Sequence, residues 1–206
     1  MSTAVLEELQ NETPKSKVSI TNSALIVVDM QNDFIDPEGA LYLGAKGNAR
    51  QLSYVVNNVI KTINLFKKQG ESVYALQDLH VANDREFDRF PPHCIWNTWG
   101  YNIYFRVEDA LRYAHATTVD KFGFDGSLEL WREMAQGSII TDIYLTGVTT
   151  DICVFFTAIG LTDYFSSSMI HIVKDSILES GFRWGNTALE MLKNLYGINT
   201  IESLIK

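Results

Sequence analysis

The chain has 206 residues, of which 46% are hydrophobic and 20% charged, and its formal net charge is −8. This length suits one α/β domain, and the composition is typical of a soluble globular protein rather than a disordered or collagen-like one. The acidic balance, without a Lys/Arg cluster that could neutralise phosphates, argues against nucleic-acid binding. We therefore expect no nucleic-acid partner.

Residues 1–20 are predicted to form a polar lead-in with one short helix, and residues 21–206 a single domain. The lead-in has no apolar segment typical of a signal peptide, and no apolar run reaches about 18 residues, so no membrane association is expected. Two cysteines, Cys94 and Cys153, are too few for a disulfide framework and fit free thiols in a reducing compartment. The expected location is the cytoplasm.

From Ser23 onwards, apolar runs alternate with segments of helical spacing. The predicted elements are, in chain order, a strand at 24–28, a helix at 49–69, strands at 72–76 and 117–119, a helix at 127–134, a strand at 142–145, a helix reaching 164, a strand at 169–173, a helix near 187–195 and a strand near 200. A long aromatic-rich connection, from Asp78 to about Leu111, precedes the third strand. This alternation predicts a three-layer α/β/α fold with a mostly parallel, roughly six-stranded sheet.

Polar side chains follow four of the predicted strands, where the crevice of a parallel sheet lies. They are Asp29, Asp78, Lys121 and, one turn further on, Cys153. With Thr150 or Asp151 as helix cap, the thiol would lie in the first helical turn, where the helix dipole favours thiolate. A buried Asp29 could take its proton and Lys121 could balance the charge. Taken singly, these residues could be a capping acid, a surface amine and a core thiol; together they predict nucleophilic catalysis.

The long connection carries residues typical of a catalytic metal site. Asp78 and His80 alternate in an extended stretch and can point the same way, and His93 follows the stiff pair Pro91-Pro92. Two imidazoles and a carboxylate with open positions suit zinc, iron or manganese, and Glu86 is a candidate fourth ligand. The alternative is that these are loop histidines in water.

These residues resemble a known family, the isochorismatase-like cysteine hydrolases, and within it the nicotinamidase (pyrazinamidase) subgroup. The resemblance runs from about Ser23 to Ser176, and its matching stretches are 24–34, 78–80, 90–94, Lys121 and 146–154. It implies the isochorismatase-like hydrolase fold. It also implies a role in NAD salvage and a homo-oligomeric assembly, as is common among relatives.

The resemblance further implies roles for individual residues. Asp29, Lys121 and Cys153 would form the catalytic triad, and the Val148-Thr149 peptide would be cis, with the backbone N–H groups of Thr149 and Cys153 directed at an oxyanion. One divalent metal ion would be bound by Asp78, His80 and His93, with zinc as the expected ion and iron or manganese as alternatives. Glu86 matches a ligand that only some nicotinamidases have.

The implied pocket holds a small aromatic amide between Phe34, Phe90 and Phe124. One departure from the family pattern lies after Lys121, where the chain is shorter by about two residues, and this affects the shape of the pocket. The family's isochorismatases and carbamoylsarcosine hydrolases lack the metal set, so its presence favours a nicotinamidase.

The sequence therefore predicts a metal-dependent amidase that converts nicotinamide to nicotinate and ammonia through a thioester on Cys153. Two alternatives stay open. The first is a metal-independent hydrolase of the same fold that acts on another small amide or an enol ether. The second is a non-catalytic binding or scaffold protein that has kept the fold.

Overall fold

The structure is a computed structural model that describes residues 21–45, 48–135, 137 and 139–205. The lead-in predicted for residues 1–20, with its short helix, lies outside the described residues. Among the described residues, no helix is both long and apolar enough to cross a membrane.

Six strands form one sheet in which every pairing is parallel, in the order β3-β2-β1-β4-β5-β6. The strands are β1 (Ser23–Val28), β2 (Ser72–Asp78), β3 (Thr117–Lys121), β4 (Asp142–Val148), β5 (Met169–Leu178) and β6 (Asn199–Ile201). The prediction of a six-stranded parallel sheet is confirmed. Strand β5 runs five residues beyond its predicted end at Val173, and its pairing with β4 shifts register between Leu145 and Gly147.

The helices connect the strands and cover both faces of the sheet. They are α1 (Asn32–Ile35), α2 (Ala49–Gln69), α3 (Phe105–Ala114), α4 (Ser127–Met134), α5 (Cys153–Tyr164) and α6 (Gly185–Tyr196), with a 3-10 helix at Arg85–Asp88. Helices α2 and α4 have the predicted bounds. The long connection after β2 contains two helical elements that were not identified in the sequence, α3 and the 3-10 helix.

Strand β1 shows why its sequence is continuously apolar. Its six residues are all buried, since helices cover both faces of the sheet. Leu25 and Val27 pack into one apolar cluster with residues of α2 and α3, whereas Ala24, Ile26 and Val28 pack into a second cluster with residues of α4, α5 and α6. The molecule therefore has the predicted three layers, and the carboxyl ends of β1 to β4 meet at one edge.

Candidate active site

The polar residues at the strand ends meet around the Lys121 ammonium group. Its Nζ lies 3.0 Å from Asp29 Oδ2, 2.8 Å from Asp78 Oδ1 and 3.5 Å from Cys153 Sγ. All four side chains are buried. They come together because β1, β2, β3 and β4 are neighbours in the sheet and end at the same edge. We call Asp29, Asp78, Lys121 and Cys153 the strand-end wall.

The turn between β4 and Cys153 is held tightly against β1. Gly147 has a φ of 104°, and a Cβ at this position would lie 2.1 Å from the Val28 carbonyl oxygen, so only glycine allows this approach. The Val148-Thr149 peptide is cis, as the resemblance implies. The N–H groups of Ile152 and Val154 donate to the Thr149 carbonyl, and these bonds use neither the Thr149 nor the Cys153 N–H.

The expected cap of the nucleophile helix was wrong. The residue at the N-cap of α5 is Ile152, and it provides no side-chain hydrogen bond. Asp151 instead accepts hydrogen bonds from the N–H and the hydroxyl of Ser180, at 2.7 and 2.6 Å. Its carboxylate thus joins the turn before Cys153 to the loop that follows β5.

Burial dominates the electrostatics of the strand-end wall. It raises the pKa of Asp29 to about 6, although the Lys121 cation lowers it. Neither Asp29 oxygen has a well-aligned hydrogen bond from another described residue, so its charge is compensated mainly by the ion pair with Lys121. Burial disfavours the Lys121 cation, but the charges of Asp29, Cys153 and Asp78 outweigh this and raise the Lys121 pKa well above its usual value.

The surroundings of the Cys153 thiol favour the thiolate less than its place in the first helical turn predicts. Burial raises its pKa well above the usual value, and the Lys121 cation only partly opposes this shift. The desolvation cost of a buried anion therefore exceeds the help that the helix dipole was expected to give. The sulfur therefore needs a base to remove its proton.

Asp78, His80 and His93 form a buried group that could hold a metal ion, since each offers one ligand atom and these atoms lie within 4.8 Å of one another. Asp78 Oδ2 lies 3.0 Å from His80 Nε2 and 3.4 Å from His93 Nε2. The other ring nitrogens bond elsewhere, His80 Nδ1 to Asp84 Oδ2 at 2.9 Å and His93 Nδ1 to the Pro91 carbonyl at 2.8 Å.

This donor set fits a divalent ion. Metal-binding histidines usually donate their second ring N–H to a carboxylate or a carbonyl, which fixes the ring, and both imidazoles have such a partner. One carboxylate and two imidazole nitrogens leave coordination positions open, as catalytic zinc sites do. The Glu86 side chain, on the 3-10 helix, is 12% exposed, and its Oε1 lies 3.9 Å from His93 Nε2, so it borders this group and stays a candidate fourth ligand.

One positioning residue was missed in the sequence. The side chain of Gln31 donates to the carbonyls of Asp78 and Tyr101, at 2.8 and 2.9 Å, and its Oε1 accepts from the Asp78 N–H at 2.8 Å. Gln31 is fully buried. It therefore fixes the backbone of Asp78 relative to the loop after Asp29. The signal was present, because a polar residue three positions after the end of a buried apolar strand needs a hydrogen-bond partner when it is itself buried.

A cavity of about 580 Å³ opens onto the strand-end wall, and Asp29, Asp78 and Cys153 line it. Its sides are aromatic, and we call these rings the aromatic wall: Phe34, Phe90, Phe124 and Phe182. The first three were expected from the sequence, whereas Phe182 was not. The segment 39–43 and the loop 179–182 also line the cavity and were missed, because only the folded chain brings them to the crevice.

The fold and this pocket are those of an α/β/α enzyme of the hydrolase class, with a buried thiol, acid and amine at one end of a parallel sheet. The family described as Isochorismatase domain matches residues 23–201, and the chain belongs to this family.

Named relatives agree with this assignment. The isochorismatase family protein PncA of Bacillus subtilis is 31% identical, over 87% of this chain and 98% of that protein. A crystal structure of nicotinamidase/pyrazinamidase PncA from Bacillus subtilis matches with a TM-score of 0.74 at 27% identity, over 87% of this chain and 99% of the other. The crystal structure of the pyrazinamidase of Pyrococcus horikoshii in complex with zinc gives a TM-score of 0.74 at 26% identity, over 87% and 98%. Family and relatives indicate an amidase.

Proposed function

We propose that this chain hydrolyses nicotinamide to nicotinate and ammonia, with Cys153 as the nucleophile and a divalent metal ion beside it. The observation that carries the proposal is the position of the Lys121 ammonium, within 3.5 Å of the Cys153 sulfur, the Asp29 carboxylate and the Asp78 carboxylate at once. The names of the relatives, nicotinamidase and pyrazinamidase, support an aromatic amide as the substrate.

The first half of the reaction makes a thioester. Asp29 takes the proton of the Cys153 thiol, and the sulfur attacks the carboxamide carbon. The backbone N–H groups of Thr149 and Cys153 donate to the oxyanion that forms. The tetrahedral intermediate then breaks its C–N bond, and protonated Asp29 gives its proton to the departing ammonia. The acyl group stays on the sulfur.

The second half releases the acid. Asp29 takes a proton from a water molecule, whose oxygen attacks the thioester carbon, and the proton returns to the sulfur as the C–S bond breaks. One carboxylate serves both directions of proton transfer, which suits a pKa near the working pH. The pKa of Asp29, raised to about 6 by burial, meets this requirement.

The metal ion would be held by the Asp78 carboxylate and by Nε2 of His80 and His93. When bound there, it supplies a Lewis-acid centre beside the pocket that can take a pyridine nitrogen as a ligand and so orient the ring. Zinc is our proposal for its identity, with iron and manganese as alternatives for the same donor set. The zinc complex of the Pyrococcus horikoshii relative supports this choice.

The substrate ring would lie between the rings of Phe34, Phe90 and Phe124. Phe90 and Phe124 meet edge to face with ring centroids 6.2 Å apart, and Phe34 contacts His93 in the same way at 5.6 Å. Such surfaces favour flat apolar rings over aliphatic chains. The aromatic sides of the cavity therefore support a pyridine carboxamide rather than a small aliphatic amide.

An ammonia-release assay over a panel of small amides tests the proposal, with the metal content measured on the same sample. We expect nicotinamide to have the highest kcat/KM of the panel, with close to one metal ion bound per chain and activity lost on chelation. No release of ammonia from nicotinamide would overturn the proposal. Full activity after complete removal of the metal would favour the metal-independent hydrolase instead.

The location and assembly of the protein belong to the same proposal. Both Cys94 and Cys153 are free thiols, which supports a reducing compartment such as the cytoplasm. Trp96 and Trp99 are exposed on the connection after β2, which supports contact between copies in a homo-oligomer. Light scattering on the purified protein measures the number of copies, and a monomer would contradict this part.

A further inference from the structure

A loop after β5 closes one side of the cavity. Glu179, Ser180, Gly181 and Phe182 all line it, as the segment 39–43 also does. This loop contributes none of the residues expected from the sequence, although it lies within residues 23–201, which match the family. It nevertheless provides a large aromatic side chain at the pocket.

The Phe182 ring continues the aromatic wall outward. It meets Phe90 edge to face with ring centroids 6.4 Å apart, and Trp184 stacks on it at 4.8 Å with an interplanar angle of 17°. Phe182 is 49% exposed and Trp184 58% exposed, so neither ring contributes much to the core. A pair of stacked rings at the mouth of a cavity instead offers an apolar surface to a ligand.

The position of this loop is set by the turn that carries the nucleophile. Asp151, two residues before Cys153 and buried, accepts from both the N–H and the hydroxyl of Ser180. The Ser180 hydroxyl oxygen also accepts from the Phe182 N–H at 3.1 Å. A chain of hydrogen bonds thus leads from the turn before Cys153 to the backbone of Phe182.

We propose that Phe182 is a specificity residue that selects flat aromatic amides by forming the outer end of the aromatic wall, and that Ser180 positions it through Asp151. This inference rests on the proposed function, because it concerns how the same pocket chooses its substrate. Phe182 contacts the ring of the amide, far from the carbonyl carbon, so it contributes to binding rather than to bond breaking.

The variant Phe182→Ala tests the first part. We expect the KM for nicotinamide to rise by roughly two- to tenfold, the scale of one aromatic contact, with kcat changed by less than about twofold. The inhibition constant of propionamide, a small aliphatic amide that competes for the same site, should stay the same. Phe182→Tyr keeps the ring and should restore the wild-type KM.

Phe122→Ala is the matched control, because Phe122 is also an exposed phenylalanine, at 71%, and does not line the cavity. Its KM for nicotinamide should be that of the wild type. Thermal unfolding of each variant checks that the fold is kept. An unchanged KM in folded Phe182→Ala, or an equal rise of the propionamide inhibition constant, overturns the specificity role.

A double-mutant cycle tests the positioning role of Ser180. Ser180→Ala removes the hydroxyl that links Asp151 to the Phe182 N–H, and we expect a smaller rise in KM than for Phe182→Ala. In the Phe182→Ala background, Ser180→Ala should have no further effect, because no ring is left to position. An equal effect of Ser180→Ala on kcat in both backgrounds would contradict this role and assign Ser180 to the nucleophile turn alone.

These outcomes separate the two proposals. If the wild type releases no ammonia from nicotinamide, the proposed function fails, and the Phe182 proposal fails with it because there is no aromatic amide to select. If the wild type is active and Phe182→Ala keeps its KM, the proposed function stands and only the role of Phe182 is wrong.

Discussion

The two walls of the cavity are built in different ways. The strand-end wall consists of buried, charged or nucleophilic side chains at or just beyond the carboxyl ends of β1 to β4, held by the parallel sheet and by contacts with the Lys121 ammonium. The aromatic wall consists of side chains from four separate connections, and one of its members, Phe182, is 49% exposed.

This difference indicates that the two walls have different roles, one in the chemical step and the other in substrate binding. Groups fixed in a low-dielectric site can stabilise charge that develops in a transition state, so changes in the strand-end wall should act on kcat. The rings of the aromatic wall would contact the substrate ring rather than its reacting carbon, so they would bind the ground state and the transition state equally. Changes in the aromatic wall should therefore act on KM.

The largest effect is expected for Asp29→Asn, which keeps the shape of the side chain and removes the base. Because burial raises the pKa of the Cys153 thiol and the sulfur then needs a base, we expect kcat to fall by about 10²- to 10⁴-fold with little change in nicotinamide binding. Steady-state ammonia release and calorimetric titration of nicotinamide measure the two quantities. A weaker binding of nicotinamide with kcat unchanged would contradict the role of Asp29 as the base.

Lys121→Met should destabilise the fold, because it leaves the buried carboxylates of Asp29 and Asp78 without their cation. We expect the free energy of unfolding near neutral pH to fall by about 3–5 kcal/mol. The control is Lys174→Met, which breaks an ion pair with Glu202 between side chains 38% and 84% exposed and should cost about 1 kcal/mol or less. Urea unfolding measures the free energy of unfolding of both variants. Equal losses would contradict a structural role of the buried Lys121 cation.

Asp84→Asn should weaken metal binding without removing a ligand. Asp84 Oδ2 lies 2.9 Å from His80 Nδ1, and loss of such a partner typically lowers metal affinity by about 10- to 100-fold. Asp88→Asn is the control, since Asp88 is an exposed acid at the end of the same 3-10 helix and does not bond a histidine. Competition with a chromophoric chelator measures the affinity. Equal affinities for the two variants would contradict the role of this hydrogen bond.

The smallest effect is the pH dependence of the wild type. Burial raises the pKa of Asp29 to about 6, and the reaction needs its ionised form. The value of kcat/KM should therefore be constant above this pKa and fall about tenfold for each pH unit below it. The profile is measured from about pH 5 to about pH 8, with metal content followed at each point. A flat profile at constant metal content would exclude Asp29 as the base.

The sequence predicts much of the fold because the local patterns agree with the tertiary structure. Helix α2 (Ala49–Gln69) was predicted with both ends, since its apolar spacing is regular and Gly70, with a φ of 78°, ends it. Helix α3 was missed because Tyr104 gives no side-chain cap, and the surrounding aromatic segment hides its apolar face. Strand β5 was predicted too short, because Lys174 is exposed and the register shift interrupts the alternation.

The residues of the site also differ in whether the sequence could predict their contacts. Asp29, Asp78, Lys121 and Cys153 could be predicted to meet, because the ends of neighbouring parallel strands share one edge whatever the loops do. The contact of Asp151 with Ser180 spans 29 residues of sequence and depends on the path of two loops, so no local pattern indicates it. The raised pKa of the Cys153 thiol was also missed, because burial is a property of the folded molecule.

The most direct test of the account is ammonia release from nicotinamide by Cys153→Ala, with Cys94→Ala as the matched control. Cys94 is also a buried free thiol, but it does not line the cavity. We expect Cys153→Ala to lose activity by on the order of 10⁴-fold or more while it still binds nicotinamide, and folded Cys94→Ala to keep its turnover. Undiminished ammonia release by Cys153→Ala would contradict the account.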